Sequence, residues 1–468
     1  MNAATAGKRI AIIGGGIAGL SIAYGIRRRE PSASVIVLER SPQPGGNVRT
    51  EVADGYTCEW GPDGFLDNAP ATLALVQALG IGSRLQACSD SARRRFIFRG
   101  DRLHEVPTSP RAFLQTGLLS TRAKLRLLCE PLGSGPPQGD ESIHDFAARR
   151  IGREAAEVMV GSMVSGIFAG DARALSLQAC FPRMWELEHE HGSLVRALIA
   201  TRKTRKKDDA AGAPAGRLTS FKGGMTELIG GLQAALGDVV RTSTPALSLT
   251  RAPGGQWRIE IPGGIIEADG VVLSGPATLS AELVRELDSA MARELDAIQT
   301  APLTVVCLGF DAAAAGPLDG FGFLVPRSEG VRILGALWET SIYPDRAPQG
   351  KALMRVMIGG ATDPAALGLD DGALLRTVQD DLKQTMGLEA APEFVKIIRH
   401  RRGIPQYVLG HVARMARLEA MTGRHGSLVL AGNSYRGVSI NSCVAEADGL
   451  AARILGAAHD RRAYPLAG

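Results

Sequence analysis

Apolar residues near the start of the chain fall into two short runs separated by a mixed stretch. Arg9–Ile13 and Val35–Leu38 are rich in Ile and Val, which is typical of buried parallel strands. Leu20–Arg29, which lies between them, has the length and composition of a helix. This order predicts a β-α-β unit at the beginning of the fold.

Similar patterns predict elements over most of the remaining sequence. Helices are expected at Arg122–Cys129, Leu194–Ile199, Thr226–Leu236 and Ile440–Leu455. Strands are expected at Gln256–Ile261, Gly270–Ser274, Pro302–Phe310, Leu353–Ile358 and Ser427–Ala431. Helical signals dominate from about Pro110 to Ala200. The chain is therefore predicted to be α/β at its two ends and α+β as a whole.

Composition narrows the class of protein. Hydrophobic residues make up 45% and charged residues 22% of the 468 positions, a balance typical of globular chains rather than disordered ones. The 57 glycines follow no three-residue period, which excludes a collagen. A net charge of +5 without a concentrated basic face argues against a nucleic-acid binder.

Cysteine and histidine spacing gives no metal or disulfide signature. The six cysteines form no C-x-x-C pair and no H-E-x-x-H motif occurs, so we expect no metal site and a reducing compartment. The uncharged run Ile10–Ile26 follows two basic residues, as in a signal peptide, but glycines stand at its centre and arginines end it. We therefore expect neither a signal peptide nor a membrane-spanning helix.

A glycine motif follows the first strand directly. Its pattern is G-x-G-x-x-G, and an acidic residue ends the second strand twenty positions later. The first glycine permits a tight turn, the second lets the backbone approach a pyrophosphate, and the third lets helix and strand pack closely. The acid is suited to bind ribose hydroxyls. The candidate dinucleotide contacts are Gly14, Gly16, Ile17, Ala18, Gly19, Glu39 and Arg40.

Three later segments favour FAD over NAD. The Gly45-Gly46 segment resembles the second dinucleotide motif of glutathione-reductase-like flavoproteins of the amine-oxidase type, and Glu59–Gly64 resembles the loop under the flavin. A strand ending at Gly432 precedes a helix whose N terminus would stabilise negative charge on reduced flavin. The candidate contacts from these segments are Gly46, Asn47, Gly61, Pro62, Asp63, Gly64, Gly432, Val438, Ser439 and Ile440.

Three signatures then make the chain resemble the oxygen-dependent, FAD-containing protoporphyrinogen oxidase family: Gly320–Pro326, Ile404–His411 and Gly432–Val438. The resemblance implies a Rossmann-type FAD-binding domain, a mixed-sheet substrate domain and a helical domain that contacts a membrane. It implies six-electron oxidation of protoporphyrinogen IX to protoporphyrin IX, by hydride transfer from a meso carbon to flavin N5. Dioxygen would reoxidise the FAD and give hydrogen peroxide. A homodimer and inhibition by diphenyl ethers are implied as well.

The resemblance also implies substrate contacts. Apolar residues that sandwich the tetrapyrrole match Leu324, Leu337 and Met357. An arginine that pairs with a propionate matches Arg95, with Arg94 as the alternative. Asp63 would face a pyrrole N–H or water.

Two cofactor contacts complete the set. Val239–Leu249 is expected to cross near the adenine, with Ala246 as a contact, and His400 stands where relatives carry a tryptophan. No acid–base side chain is expected, because the flavin performs the chemistry.

The two cofactor-binding ends make the FAD-binding domain discontinuous. We expect it to comprise residues 1–75, 219–285 and 425–468, the substrate domain 76–104 and 286–424, and the helical domain 105–200. The stretch 201–218, first basic and then rich in Gly, Ala and Pro, is expected to be a linker, with a basic membrane-surface patch as the alternative. The predicted location is the cytoplasm, at the membrane surface.

Other functions remain open at this stage. Coproporphyrinogen III oxidation by the same family would need more cationic partners, and the run Arg93–Arg95 is one source of them. An amine oxidase, a carotenoid desaturase or a non-enzymatic binding protein on the same fold are further alternatives.

Overall fold

Five parallel strands form the first of two large sheets in the computed structural model, which describes residues 7–202 and 216–456. All neighbouring strands of this sheet run parallel. Their spatial order is Val240–Arg241, Ser34–Leu38, Arg9–Ile13, Gly270–Leu273 and Leu428–Leu430. Arg9–Ile13 takes the centre because its four aliphatic residues are buried between the layers on either side.

Both faces of the parallel sheet are covered. Three helices share one apolar core with the first face: Ile17–Arg29, Thr226–Leu236 and Ile440–Leu455. The second face packs against a three-stranded antiparallel sheet of Ser248–Arg251, Trp257–Ile261 and Gly264–Ala268. The helices Ala277–Val284, Ser289–Asp296 and His411–Arg424 join that second core.

This arrangement corrects one predicted domain boundary. Ser289–Asp296 and His411–Arg424 were expected in the substrate domain, but Met291, Leu295 and Leu418 are buried in the core beside the parallel sheet. An amphipathic helix packs on the nearest apolar surface, and position along the chain does not reveal which surface that is.

Seven strands form the second large sheet. It is antiparallel except where Gly322–Leu324 pairs in parallel with Phe96–Arg99. The spatial order is Phe394–Pro405, Thr300–Asp311, Lys351–Gly359, Ile333–Leu337, Gly322–Leu324, Phe96–Arg99 and Arg102–Glu105. One face, with Val306, Leu308 and Val356, packs on the helix Asp371–Met386. We call the opposite face, which carries Met357, the substrate face.

A run of helices follows the strand Arg102–Glu105 and extends to Arg202. They are Pro110–Gln115, Thr121–Leu128, Ile143–Ile151, Arg153–Ala155, Ser162–Phe168, Leu177–Cys180, Pro182–His191 and Leu194–Arg202, with a π-helical turn at Ala156–Gly161. Gly166 lies directly against Leu324 of the seven-stranded sheet. The helical region therefore reaches the substrate face.

Smaller elements complete the described chain. Thr50–Ala53 pairs with Tyr56–Glu59, and Leu218–Phe221 pairs with both Phe65–Leu66 and Leu85–Ala87. Further short helices are Pro70–Ala78, Ala312–Ala315 and Glu339–Ile342, and 3-10 turns occur at Gly82–Arg84, Ser91–Arg93, Glu130–Leu132, Gly237–Val239, Arg327–Glu329 and Pro364–Gly368.

Most of the predicted linker, residues 203–215, lies outside the described residues, as does the basic run that was its alternative interpretation. Within 7–202 and 216–456, none of the helices combines the length and the apolar character that crossing a bilayer requires.

Candidate active site

The three glycines of the G-x-G-x-x-G motif differ in how much space surrounds them. A Cβ on Gly19 would overlap the carbonyl oxygen of Gly14, which itself has a φ of +116°. A Cβ on Gly16 would meet no atom of the described residues within 4 Å. Gly16 begins the helix Ile17–Arg29 and provides no side-chain cap, so the N–H groups of the first turn, which includes Ala18, face the space above Gly16.

The second glycine segment lies against the first. The Gly45 N–H donates to the carbonyl oxygen of Gly15 over 2.8 Å, and a Cβ on Gly46 would lie 3.5 Å from the α-carbon of Gly16. Gly45 and Gly46 both have positive φ, 123° and 59°. Asn47, which is exposed, follows them and its carbonyl oxygen lies directly against Gly61. Two predicted segments therefore converge on the open side of Gly16.

Glu39 is buried at the end of its strand. Its Oε2 accepts the Gly15 N–H over 2.7 Å and its Oε1 accepts the Ser41 N–H over 2.8 Å. Each carboxylate oxygen keeps a further lone pair for a hydroxyl. Arg40 beside it is exposed. Glu39 is thus fixed by backbone N–H groups next to the glycine loop.

The segment Val239–Leu249, which was expected to cross near the adenine, runs beside Glu39. The Thr244 N–H donates to the Glu39 carbonyl oxygen over 2.8 Å. Ala246, two residues further on, is half-buried against the antiparallel sheet. The structure places Ala246 close to the Glu39 end of the site.

The C-terminal segment reaches the same place from the other side of the first helix. Gly432 has a φ of +102°, and a Cβ on it would lie 3.6 Å from the Ala18 Cβ. Ser439 caps the helix Ile440–Leu455 by accepting the Ser442 N–H over 3.1 Å. Val438 and Ile440 flank this cap. Two helix N termini therefore border the glycine loop.

The Ile404–His411 signature supports this C-terminal turn. The Tyr407 hydroxyl donates to the Asn433 carbonyl oxygen over 2.6 Å, and the buried His411 Nε2 lies 2.9 Å from the Tyr435 carbonyl oxygen. Burial lowers the pKa of His411 to about 4. The neutral ring therefore donates its Nε2–H to that carbonyl. Sequence reasoning used this signature only for recognition and missed its contacts.

The loop Glu59–Gly64 contains buried charges that the sequence analysis did not anticipate. Asp63 forms an ion pair with the buried Arg355. The Arg355 Nε also lies 2.9 Å from an oxygen of Glu339. Asp63 was expected to face a pyrrole N–H or water, and sequence reasoning missed this ion pair, which supplies the cation that a carboxylate at this depth needs.

A second ion pair adjoins the first. The carboxylate of Glu59 accepts the Met225 N–H over 2.9 Å and lies 3.3 Å from Nη1 of Arg346. Burial, which outweighs the nearby Arg346, raises the pKa of Glu59 to about 7. Burial and the neighbouring Asp63 raise the pKa of Glu339 as well. A single charge within an apolar run, such as Arg355 in Leu353–Ile358, was the sequence signal for this network.

The other residues of the Glu59–Gly64 loop contact the strand Leu218–Phe221 and the seven-stranded sheet. Gly64 is held against the Thr219 carbonyl oxygen, and Pro62 stands between Gly61 and Asp63. His400 Nε2 lies 2.8 Å from the carbonyl oxygen of Trp60, and burial lowers the His400 pKa. His400 therefore contacts the loop from the seven-stranded sheet.

The three predicted tetrapyrrole contacts lie on the substrate face. Leu324 pairs across the strands with Gly335, and Gly335 pairs with Met357. Leu337 is the next residue on that face and pairs with Arg355. Cross-strand partners point to the same side of a sheet. Leu324 and Met357 are half-buried, whereas Leu337 is buried.

Arg93 and Arg94 pair with carboxylates, whereas Arg95 does not among the described residues. Arg94 bridges Glu105 and Asp319, and Arg93 lies 3.5 Å from Asp90. Arg95 is exposed and its guanidinium lies 5.1 Å from the centre of the Phe321 ring. Among the described residues Arg95 forms no ion pair, which favours it over Arg94 as an anion partner.

The chain is similar to several known proteins. A family model, flavin containing amine oxidoreductase, matches residues 17–455. The human protoporphyrinogen oxidase is 32% identical over 476 residues, with 96% of this chain and 99% of the human protein covered. A coproporphyrinogen III oxidase of Bacillus subtilis (strain 168) is 29% identical, covering 93% and 96%. A crystal structure from Exiguobacterium sp. 255-15, assigned as a protoporphyrinogen oxidase, has a TM-score of 0.84 at 28% identity, covering 96% and 98%.

Proposed function

Because the chain belongs to the flavin-containing amine oxidoreductase family, we propose that it is an FAD-dependent enzyme that oxidises protoporphyrinogen IX to protoporphyrin IX, as its human relative is named to do. The observation that carries the choice of substrate is the apolar row Leu324, Met357 and Leu337 on one sheet face. A flat, largely apolar macrocycle suits such a surface.

The residues around Gly16 fit FAD. A Cβ on Gly16 would have no described atom within 4 Å, and the helix that begins there has no side-chain cap. This open space at a helix N terminus suits a pyrophosphate. Glu39 is held for the adenosine ribose, with Ala246 on the adenine side. The turn at Gly432 and the helix that begins after Ser439 lie on the flavin side.

The chain's own residues orient the substrate and exclude water. The substrate face holds the ring plane through van der Waals contact and burial, and Arg95 at its exposed edge is free to pair with a propionate. FAD, when bound, supplies the acceptor for the electrons in a six-electron oxidation that ends on dioxygen. Loss of hydride from a meso carbon leaves a cation that the pyrroles delocalise, so no side-chain base is assigned.

Coproporphyrinogen III is the second candidate substrate. The Bacillus subtilis relative covers nearly the whole chain, and Arg95 lacks a carboxylate partner among the described residues. However, that substrate has two further propionates, and Arg355 on the substrate face is already neutralised by Asp63. The apolar row therefore favours the substrate with fewer charges.

We also propose that the helical region binds a membrane surface and, as the family resemblance implies, that the chain forms a homodimer. Leu114, Leu125, Leu128 and Leu132 are more than 60% exposed. The basic Arg111 lies on the helix of Leu114, and Arg122 lies on that of Leu125 and Leu128. Apolar side chains beside cations suit an anionic lipid interface. Sedimentation velocity of the FAD-loaded protein tests the dimer.

A side-by-side fluorescence assay tests the substrate. The FAD-loaded protein is given protoporphyrinogen IX and coproporphyrinogen III in air, and porphyrin fluorescence is followed. We expect at least a tenfold preference in kcat/KM for the first. A preference for the second would transfer the function to coproporphyrinogen, and no porphyrin from either would contradict both.

A further inference from the structure

Arg355 is a charged residue on the substrate face that neither the sequence motifs nor the proposed reaction explains. It stands two residues before Met357 and pairs across the strands with Leu337 and Cys307. Its side chain is buried. Placing a guanidinium there is costly unless it makes several specific contacts.

The guanidinium contacts the Glu59–Gly64 loop and Glu339. Nη1 donates to the Gly61 carbonyl oxygen over 2.6 Å and to the Glu59 carbonyl oxygen over 3.4 Å, and Nη2 donates to the Asp63 carboxylate. Nε lies 2.9 Å from Glu339. The planar fork of arginine can bind carbonyls and a carboxylate at once, which the ammonium of a lysine cannot reproduce.

These contacts connect two parts of the site. Gly61 lies against the Asn47 carbonyl oxygen, and Asn47 follows the glycine pair that faces Gly16. Arg355 lies on the same strand and face as Met357. One side chain therefore links the surface proposed for the macrocycle to the loops proposed for the cofactor.

We propose that Arg355 is a positioning residue that fixes the distance between the Glu59–Gly64 loop and the substrate face, with Asp63 as its counter-ion and Glu339 beside its Nε. This role rests on the function proposed above. It sets where the bound cofactor lies relative to the ring, without Arg355 touching the reacting atoms.

The test compares Arg355→Lys with Arg150→Lys. Arg150 is a matched control, because it is equally buried and paired with Glu188, but it lies in the helical region. We measure FAD affinity by fluorescence titration, the visible circular dichroism of bound FAD, and thermal stability. Both variants are expected to lose stability, while only Arg355→Lys weakens FAD binding about tenfold and alters the dichroism. Equal FAD affinity and dichroism in both variants would overturn the proposal.

A milder variant guards against misfolding of Arg355→Lys. Asp63→Asn keeps the shape of the side chain and an acceptor oxygen but removes the charge that orients the fork. We expect an altered dichroism and about threefold weaker FAD binding, and wild-type values for both would contradict the role. Neither measurement uses a porphyrinogen, so failure here is distinguishable from failure of the proposed reaction.

Discussion

Gly14, Gly16 and Gly19 belong to one motif, yet only the middle one is free of steric constraint in the folded chain. Side chains at Gly14 and Gly19 are disfavoured by a positive φ and by the Gly14 carbonyl oxygen, respectively. Gly16 has an extended conformation, with φ −76° and ψ 177°, that any residue can adopt. Its lack of a Cβ matters only when something occupies the space above it.

This contrast predicts separable effects of substitution. Gly16→Val should change the free energy of unfolding of the FAD-free protein by no more than about 1 kcal/mol, while weakening FAD binding at least about 100-fold, because the isopropyl group fills the pyrophosphate space. Gly19→Ala should instead destabilise the FAD-free protein. Urea unfolding and FAD titration measure the two effects. Gly230→Ala, in an open helix position, is the control, which should raise stability by about 1 kcal/mol and leave FAD binding unchanged. Normal FAD binding by Gly16→Val would contradict the site.

Arg95 carries a second prediction at this scale. Replacing it by Gln removes a propionate partner, so the KM for protoporphyrinogen IX should rise about tenfold with kcat nearly unchanged. Arg93→Gln, which removes an exposed ion pair with Asp90, should change KM less than about twofold. Steady-state fluorescence kinetics give both constants. Equal KM values for the two variants would remove Arg95 from the substrate site.

How far single residues could be predicted depends on whether their partners are local. The motif glycines and Glu39 were identified because their constraint lies within one β-α-β unit. The ion pair of Asp63 was missed because its partner Arg355 is 292 positions away. No spacing rule connects such residues, so the buried pair became visible only in the fold.

At the scale of elements, the turn between Gly432 and the last helix depends on the helix His411–Arg424. His411 begins that helix and holds the Tyr435 carbonyl oxygen, while Tyr407 holds that of Asn433. The sequence predicted the helix Ile440–Leu455 correctly, since its periodicity is local. The neighbouring support could not be predicted, because it depends on tertiary contact.

His411, which contacts the Tyr435 carbonyl oxygen, makes the stability of the fold depend on pH. Its folded-state pKa is about 4, below the ordinary value of 6.5. As pH falls from about 6.5 to 4, the unfolded chain binds a proton that the folded chain excludes, so stability is lost by up to about 3 kcal/mol. His411→Gln should remove this loss. Differential thermal stability of the two proteins at pH 7.5 and 5 measures it.

Two buried carboxyl groups change stability with pH in the opposite direction to His411. The effect of His411 is therefore measured as the difference between the wild type and His411→Gln. Glu59 and Glu446 have pKa values raised to about 7 by burial, so they stabilise the folded chain as pH falls. His189→Gln, at an exposed ring, is the control. If the wild type and His411→Gln lose the same stability on acidification, His411 is not the group responsible.

At the scale of the whole molecule, the sequence predicted strands of both large sheets, among them Thr300–Asp311 and Lys351–Gly359 of the seven-stranded one, but strand pairing was predictable only within a β-α-β unit. Arg9–Ile13 and Ser34–Leu38 follow each other in β-α-β order, where handedness and pairing are restricted. Phe96–Arg99 instead pairs with Gly322–Leu324 across more than 200 residues. That pairing brings Arg95 to the edge of the substrate face, so the site depends on the least predictable part of the fold.

The outer surface of the helical region carries the last prediction. Leu125 and Leu128 lie three positions apart on the helix Thr121–Leu128, where i and i+3 side chains share a face, and they are 61% and 63% exposed. Burying two leucines in a lipid interface is favourable by roughly 1 kcal/mol each or more. Leu125→Ser with Leu128→Ser should therefore lower partitioning onto anionic vesicles at least about tenfold, as measured by co-sedimentation. Leu247→Ser with Ile265→Ser, which are exposed at the three-stranded antiparallel sheet, should leave partitioning unchanged. If both double variants bind as the wild type does, or the wild type does not bind, the helical region is not the membrane-facing surface.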